Sequence, residues 1–193
     1  MMQVAIGHEG KTALKVICTG QAAHSALAPH AVNAIHLASD LVQRLRESQA
    51  TLETSGAREA GYDIAYSTIL VGTIRGGTAL NVVPDLCELE VEIRNITRDD
   101  PARLVDQIRG FATEIERDAR RPDQSVGISI ELTNEYPGPD TSDRSSAVTF
   151  VNLDERPPEY ARRIRQRSGT VQRPRNSDRA VWSWLHHSGT SGG

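Results

Sequence analysis

The residue pattern predicts an α+β protein: a ferredoxin-like βαββαβ sandwich, with a four-stranded antiparallel sheet and two helices on one face. Three observations lead there. Four runs are β-like, three of them alternating between apolar and polar residues and one dense in β-branched residues. Two longer stretches repeat apolar residues at three- and four-residue spacing, the signature of a helix with one buried stripe. Their order is strand, helix, strand, strand, helix, strand, and right-handed crossovers then put both helices on the same side of the sheet.

The first strand is read over Thr12 to Cys18, with Leu14, Val16 and Cys18 facing one way and Lys15 and Ile17 the other. After Pro29 a helix is expected over residues 32–46, because Ala34, Leu37, Ala38, Leu41, Val42 and Leu45 form one apolar stripe. Ser67 to Ile74 is rich in β-branched residues and ends at Gly76-Gly77, so it reads as a strand, at the edge of the sheet. From Leu86 to Arg94, Cys87, Leu89, Val91 and Ile93 alternate with Glu88, Glu90, Glu92 and Arg94, giving one buried and one wet face. Asp100-Pro101 supplies an N-cap and a proline at the first helical position, and Leu104, Ile108, Phe111 and Ile115 make the second apolar stripe. Val126, Ile128, Ile130 and Leu132 alternate with Gly127, Ser129 and Glu131 as the last strand.

Composition narrows the function. A net charge of −3 over 193 residues gives no global attraction to nucleic acid or an anionic membrane. Aromatics are 4% of the chain, too few for the stacking platforms of single-stranded nucleic acid. There is no apolar run of membrane-spanning length and no basic, apolar leader, so a cytoplasmic location is expected. Cys18 and Cys87 each sit in an apolar run without metal-ligand spacing and read as buried thiols, with a disulfide as the alternative.

Three stretches are more specific than a fold. They are GHEGKTALKVICTGQAAHSALAPHAVNAI (Gly7 to Ile35), GTIRGGTALNVVPDLCELEVEIR (Gly72 to Arg94), and the helices and strands joining them at matching spacing. In this order they resemble the lid, or dimerisation, domain of the acetylornithine deacetylase and succinyl-diaminopimelate desuccinylase family, over about residues 5–142. The resemblance implies a metal-dependent amidohydrolase of arginine biosynthesis that removes the acyl group from an N-acetylornithine-like substrate. Two zinc ions would sit in a separate catalytic domain. The lid would form a homodimer, through edge strand 67–74 and helix 32–46, without nucleic-acid or membrane partners.

By the same resemblance, His24 reaches the neighbouring subunit's reaction centre and donates to the scissile carbonyl and its oxyanion. Asn81 offers an amide to the substrate, Gly76 and Gly77 allow close backbone approach, and Arg94 holds a carboxylate. Residue by residue, plainer readings stand beside these: His24-Ser25 as a turn cap and Asn81 as a turn asparagine. His8, His30 and His36 read as structural, since His30 and His36 lack the four-residue spacing of a helical zinc pair.

The metal ligands and the general base of the family belong to segments flanking the lid, so no metal site and no catalysis are expected of this fragment alone. The alternatives are activity with a separately encoded metal-binding half, or a non-catalytic small-molecule-binding module of ferredoxin-like shape. Residues 143–193 are expected to be a separate, irregular tail, arginine-rich from Asp154 onward; Ser146 to Val151 still fits a family helix. The expected cause is a one-base frame slip near Asn152 or Leu153. Reading one base later turns Trp182 and Trp184 into glycines whatever follows, and permits other family-like strings in order. A basic tail that binds an acidic partner is the other reading.

Overall fold

The computed structural model describes residues 8–119 and 126–138. The expected domain start at residue 5, the tail 143–193 and the helix over Ser146 to Val151 lie partly or wholly outside the described residues. Four long strands, β1 (Gly10–Thr19), β3 (Thr68–Gly76), β5 (Leu86–Asn95) and β6 (Gly127–Tyr136), form one antiparallel sheet in the order β3-β5-β1-β6. Helices α1 (Ala34–Ser55) and α2 (Pro101–Ala119) supply the crossovers and cover one face. This is the ferredoxin-like α+β arrangement.

The alternation places the core. Leu14, Val16 and Cys18 of β1 and Cys87, Leu89, Val91 and Ile93 of β5 are almost fully buried. Leu37, Ala38, Leu41 and Leu45 of α1 and Leu104, Val105, Ile108 and Ala112 of α2 close over them. The small side chains Ala34, Ala38 and Ala112 let the helices sit close to the sheet. On the other face, Lys11 pairs with Glu92 at 2.9 Å and Lys15 with Glu88 at 2.9 Å, a ladder of opposite charges across β1 and β5.

Several boundaries differ from expectation. Helix α1 starts at Ala34 rather than 32, because the Asn33 side chain accepts from the Ile35 N–H at 2.8 Å and caps it. It runs nine residues past 46, to Ser55, because no breaker intervenes before Gly56 and Ser48 and Leu52 keep the inner face going. In α2 the buried row includes Val105 and Ala112, while Phe111 and Ile115 are only partly buried; the Arg44 guanidinium lies 5.2 Å from the Phe111 ring centre. Leu132 is 45% exposed despite its inward phase, since β6 is an edge strand and its pairing with β1 shifts register there. The expected cap at Asp100 is present, accepting from the Ala102 N–H at 3.0 Å. Cys18 and Cys87 are free and buried, directly opposite each other.

Candidate functional site

Beyond the end of β1 the chain leaves the sheet and builds a small tip. The Gly20 N–H donates to the Asp85 carbonyl at 2.8 Å and the Gln21 N–H to the Val32 carbonyl at 2.7 Å, holding the exit tightly. Gly20 is constrained by this packing: a Cβ there would stand 2.8 Å from the Ala34 nitrogen. Strands β2 (Ala23–His24) and β4 (Val82–Val83) then pair, Ala23 with Val83 and His24 with Val82. The Ser25 N–H extends the ribbon by donating to the Asn81 carbonyl at 2.9 Å. His24 and Asn81, far apart in sequence, thereby meet on one ribbon, and both are exposed.

His24 also caps the short 3₁₀ helix Ser25–His30, its Nδ1 accepting from the Ala26 N–H at 3.2 Å. The capping and chemical readings are compatible. With Nδ1 as acceptor, the neutral ring carries its hydrogen on Nε2, the nitrogen left for an outside acceptor.

The glycine pair belongs to the same end of the molecule. Gly76 is the last residue of β3 and faces Cys87, whose Sγ would lie 2.8 Å from an added Cβ. Gly77 has φ of +80°, a left-handed conformation that side chains disfavour. Both line an open cleft of about 440 Å³ with Thr78, Leu80, Asn33 and Ile35. Leu80, next to Asn81, is fully exposed. The start of α1 also faces the cleft, but its first amides are taken: Ala34 N–H by the Pro84 carbonyl at 2.9 Å and Ile35 N–H by Asn33. The cleft therefore offers glycine backbone and apolar surface rather than a ready anion site.

Arg94 is elsewhere. It lies seven residues along β5 from Cys87, about 23 Å at the usual strand rise. Its Nε donates to Glu92 at 2.6 Å and one terminal nitrogen to the Tyr136 hydroxyl at 3.4 Å. Burial opposes its charge, but the Glu92 carboxylate more than offsets this and holds the guanidinium above its ordinary pKa. Glu92 in turn is disfavoured by burial, yet Lys11 and Arg94 together hold its carboxyl below the usual range.

Among the other described histidines, His30 ends the 3₁₀ helix that His24 caps. His8 packs edge-on against Tyr136 with ring centres 5.9 Å apart, and His36 is exposed on α1. Among the described residues no group of three or more His, Cys, Asp and Glu side chains could hold a metal ion, so these residues do not fit the zinc pair implied by the resemblance. No described helix is long and apolar enough to cross a membrane. The ribbon itself escaped sequence analysis, because two-residue strands carry no periodicity.

The chain is similar to several known proteins. A segment of 111 residues is 32% identical to an acetylornithine deacetylase from Myxococcus xanthus, covering 58% of this chain and 29% of that protein. An acetylornithine deacetylase from Erwinia tasmaniensis is 36% identical over 107 residues, 55% of this chain and 27% of the relative. The chain thus spans less than a third of the length of these curated relatives. Its fold is shared with a tripeptidase from Staphylococcus aureus (TM-score 0.52, 23% identity, 77% of this chain and 36% of that one). It is shared also with an amidase of the hydantoinase/carbamoylase family from Burkholderia vietnamiensis (TM-score 0.55, 20% identity, 70% and 30%). Residues 6–120 match the family model described as the peptidase dimerisation domain, and the chain belongs to that family.

Proposed function

We propose that this chain acts as the dimer-forming lid of an acetylornithine deacetylase-like amidohydrolase, and that its tip serves a reaction centre carried by another polypeptide segment. The observation that carries this reading is the ribbon. It brings His24 and Asn81 to one short two-stranded segment, both exposed, with no metal-binding cluster among the described residues for them to act on. In this role His24 Nε2–H donates to the carbonyl oxygen of an N-acyl amino acid and then to the oxyanion it becomes. A donor fixed by its own Nδ1 contact needs little reorganisation for that task. Asn81 orients a polar group of the same substrate, and the Gly76-Gly77 backbone borders it. Zinc, where the intact enzyme uses it, would be held by residues outside the described part. Arg94 is left out of this assignment, since its guanidinium is engaged at the far end of the sheet.

The lid also needs a partner, and a second copy is the simplest one. Strand β3 is an edge, with Leu70 and Ile74 both more than half exposed on it. Sedimentation equilibrium on the full chain tests the reading: a reversible dimer in the micromolar range is expected, and a strict monomer at high concentration would refute it.

A further inference from the structure

We propose that Cys18 and Cys87 close a strained, readily reversed disulfide across β1 and β5 when the chain meets a small-molecule disulfide, and that Gly76 keeps the two sulfurs apart in the reduced protein. Together they make a redox-sensitive latch at the root of the tip.

The pairing follows from the ladder. Cys18 and Cys87 are the only two cysteines of the chain, they are register partners, and both belong to the helix-covered core. The Gly20 N–H donates to the Asp85 carbonyl, which continues the β1–β5 register by two positions, so Cys18–Cys87 is likewise a hydrogen-bonded pair. In such a pair the Cα atoms stand about 5.5 Å apart, within the reach of a disulfide. The Cβ atoms stand about 5 Å apart, beyond the roughly 3.5–4.5 Å that a relaxed disulfide spans. Closing the bond therefore draws the strands together and stores strain, and a strained disulfide is the easily reduced kind.

Gly76 sets the reduced state. The sheet order is β3-β5-β1, and a Cβ on Gly76 of β3 would lie 2.8 Å from Cys87 Sγ. The sulfur thus leans into space that a side chain at 76 would fill, on the side away from Cys18. To bond, it must swing toward β1. Burial restrains this step: both thiols are buried, which raises their pKa, that of Cys18 to about 12, so neither is a nucleophile in the closed sheet. Position permits it, since only the Thr19–Leu86 rung lies between this pair and the end of the ladder, where local opening is easiest.

Once opened and deprotonated, one thiolate attacks a sulfur of glutathione disulfide and releases one glutathione thiolate, which takes up the proton. The second thiol then displaces the remaining glutathione in the same way and closes the protein disulfide. Two protein thiols are oxidised and one glutathione disulfide is reduced to two glutathione molecules. The new bond takes Cys87 Sγ off Gly76 and so changes the support beneath the glycine pair that borders the cleft.

The test treats the folded full-length chain with glutathione disulfide and reads the intact mass after acid quenching. Loss of two hydrogens without retained glutathione is expected, in a chain that stays single on a non-reducing denaturing gel, and excess reduced glutathione should reverse it. Gly76→Ala should close the bond several-fold faster, because its methyl evicts the sulfur. Gly77→Ala, strained by its left-handed backbone but not placed against Cys87, controls for simple unfolding and should not. If the folded chain keeps both thiols or carries only glutathione adducts, while the urea-unfolded chain closes the disulfide, the pairing is wrong. A bond that survives excess reduced glutathione would contradict the strain, and equal acceleration in Gly77→Ala would remove the role given to Gly76.

Discussion

The helix-backed sheet and the ribbon at its end are built on opposite terms. In the sheet, side chains account for one another: Leu89 is buried with Leu41, Val16 and Ile108, and the alternation that buries it turns Glu88, half-buried, and Glu90, exposed, to the other face. In the ribbon, His24, Asn81 and Leu80 stand in solvent, and backbone bonds, one imidazole cap and the buried Val83 side chain hold the segment in shape. The difference bears on the role proposed for the tip. A segment held to a defined shape, yet with little of its own side-chain surface buried, is built to meet something outside the chain.

The largest effect that would sharpen this contrast is in the core. Leu89→Ala should lower unfolding stability by about 2–5 kcal/mol, read from the denaturation midpoint at unchanged slope. Gly76→Ala stands at the border of the two regions, where the new methyl meets Cys87 Sγ, and should cost about 1–3 kcal/mol. Adding Cys87→Ala should return part of that loss, a less-than-additive pair that a merely flexible glycine would not show. Gly77→Ala should cost about 1–2 kcal/mol through its left-handed backbone, with no such rescue. His24→Ala should change stability by no more than about 0.5 kcal/mol. A loss of several kcal/mol there would mean that the imidazole is a structural cap, and would break the comparison.

Ionisation divides the molecule in the same way. Burial, helped by Cys87 and Glu116, pushes the Cys18 thiol up to about 12. Its folded value is raised, so the stabilisation is complete below the unfolded thiol's pKa of about 8.5 and is lost as pH climbs from there toward 12. The unfolding midpoint should fall over that alkaline range, and less so in Cys18→Ala. Glu92 works in the opposite direction: its folded pKa is depressed, so its contribution is present above an unfolded value of about 4.3 and fades as pH drops below it. Glu92→Gln should flatten the acid limb of the stability profile. Both shifts belong to the sheet.

The sheet and helices were legible in the sequence because burial on one face imposes a period, and that period is visible in Leu14-Val16-Cys18, in Cys87 to Ile93 and in the stripe of α1. What was not legible depends on contacts between distant residues. The β2–β4 ribbon is too short to have a period, and the Gln49–Ile69 bond joins a helix surface to a strand edge. The extension of α1 to Ser55 falls where the apolar stripe thins to Ser48 and Leu52. Leu132 keeps its phase in the sequence but is 45% exposed where edge strand β6 shifts register against β1. Of the candidate site residues, the fold gathers His24, Asn81, Gly76 and Gly77 at one end and leaves Arg94 at the other. Spacing alone could not separate them, because after Gly76 the chain turns back and runs along β5 from Cys87, opposite Gly76, to Arg94 at the far end. The expected frame slip in the tail is a matter for the coding DNA: one inserted or deleted base near Asn152 or Leu153 should restore family-like strings, and their failure to appear would dismiss it.

The proposed role is to lend donors to a reaction centre carried by another polypeptide segment. Acetate release from N-acetylornithine by the purified full-length chain, supplied with zinc, tests this most directly. No release above the uncatalysed rate is expected, and zinc-dependent turnover by the chain alone would contradict the account.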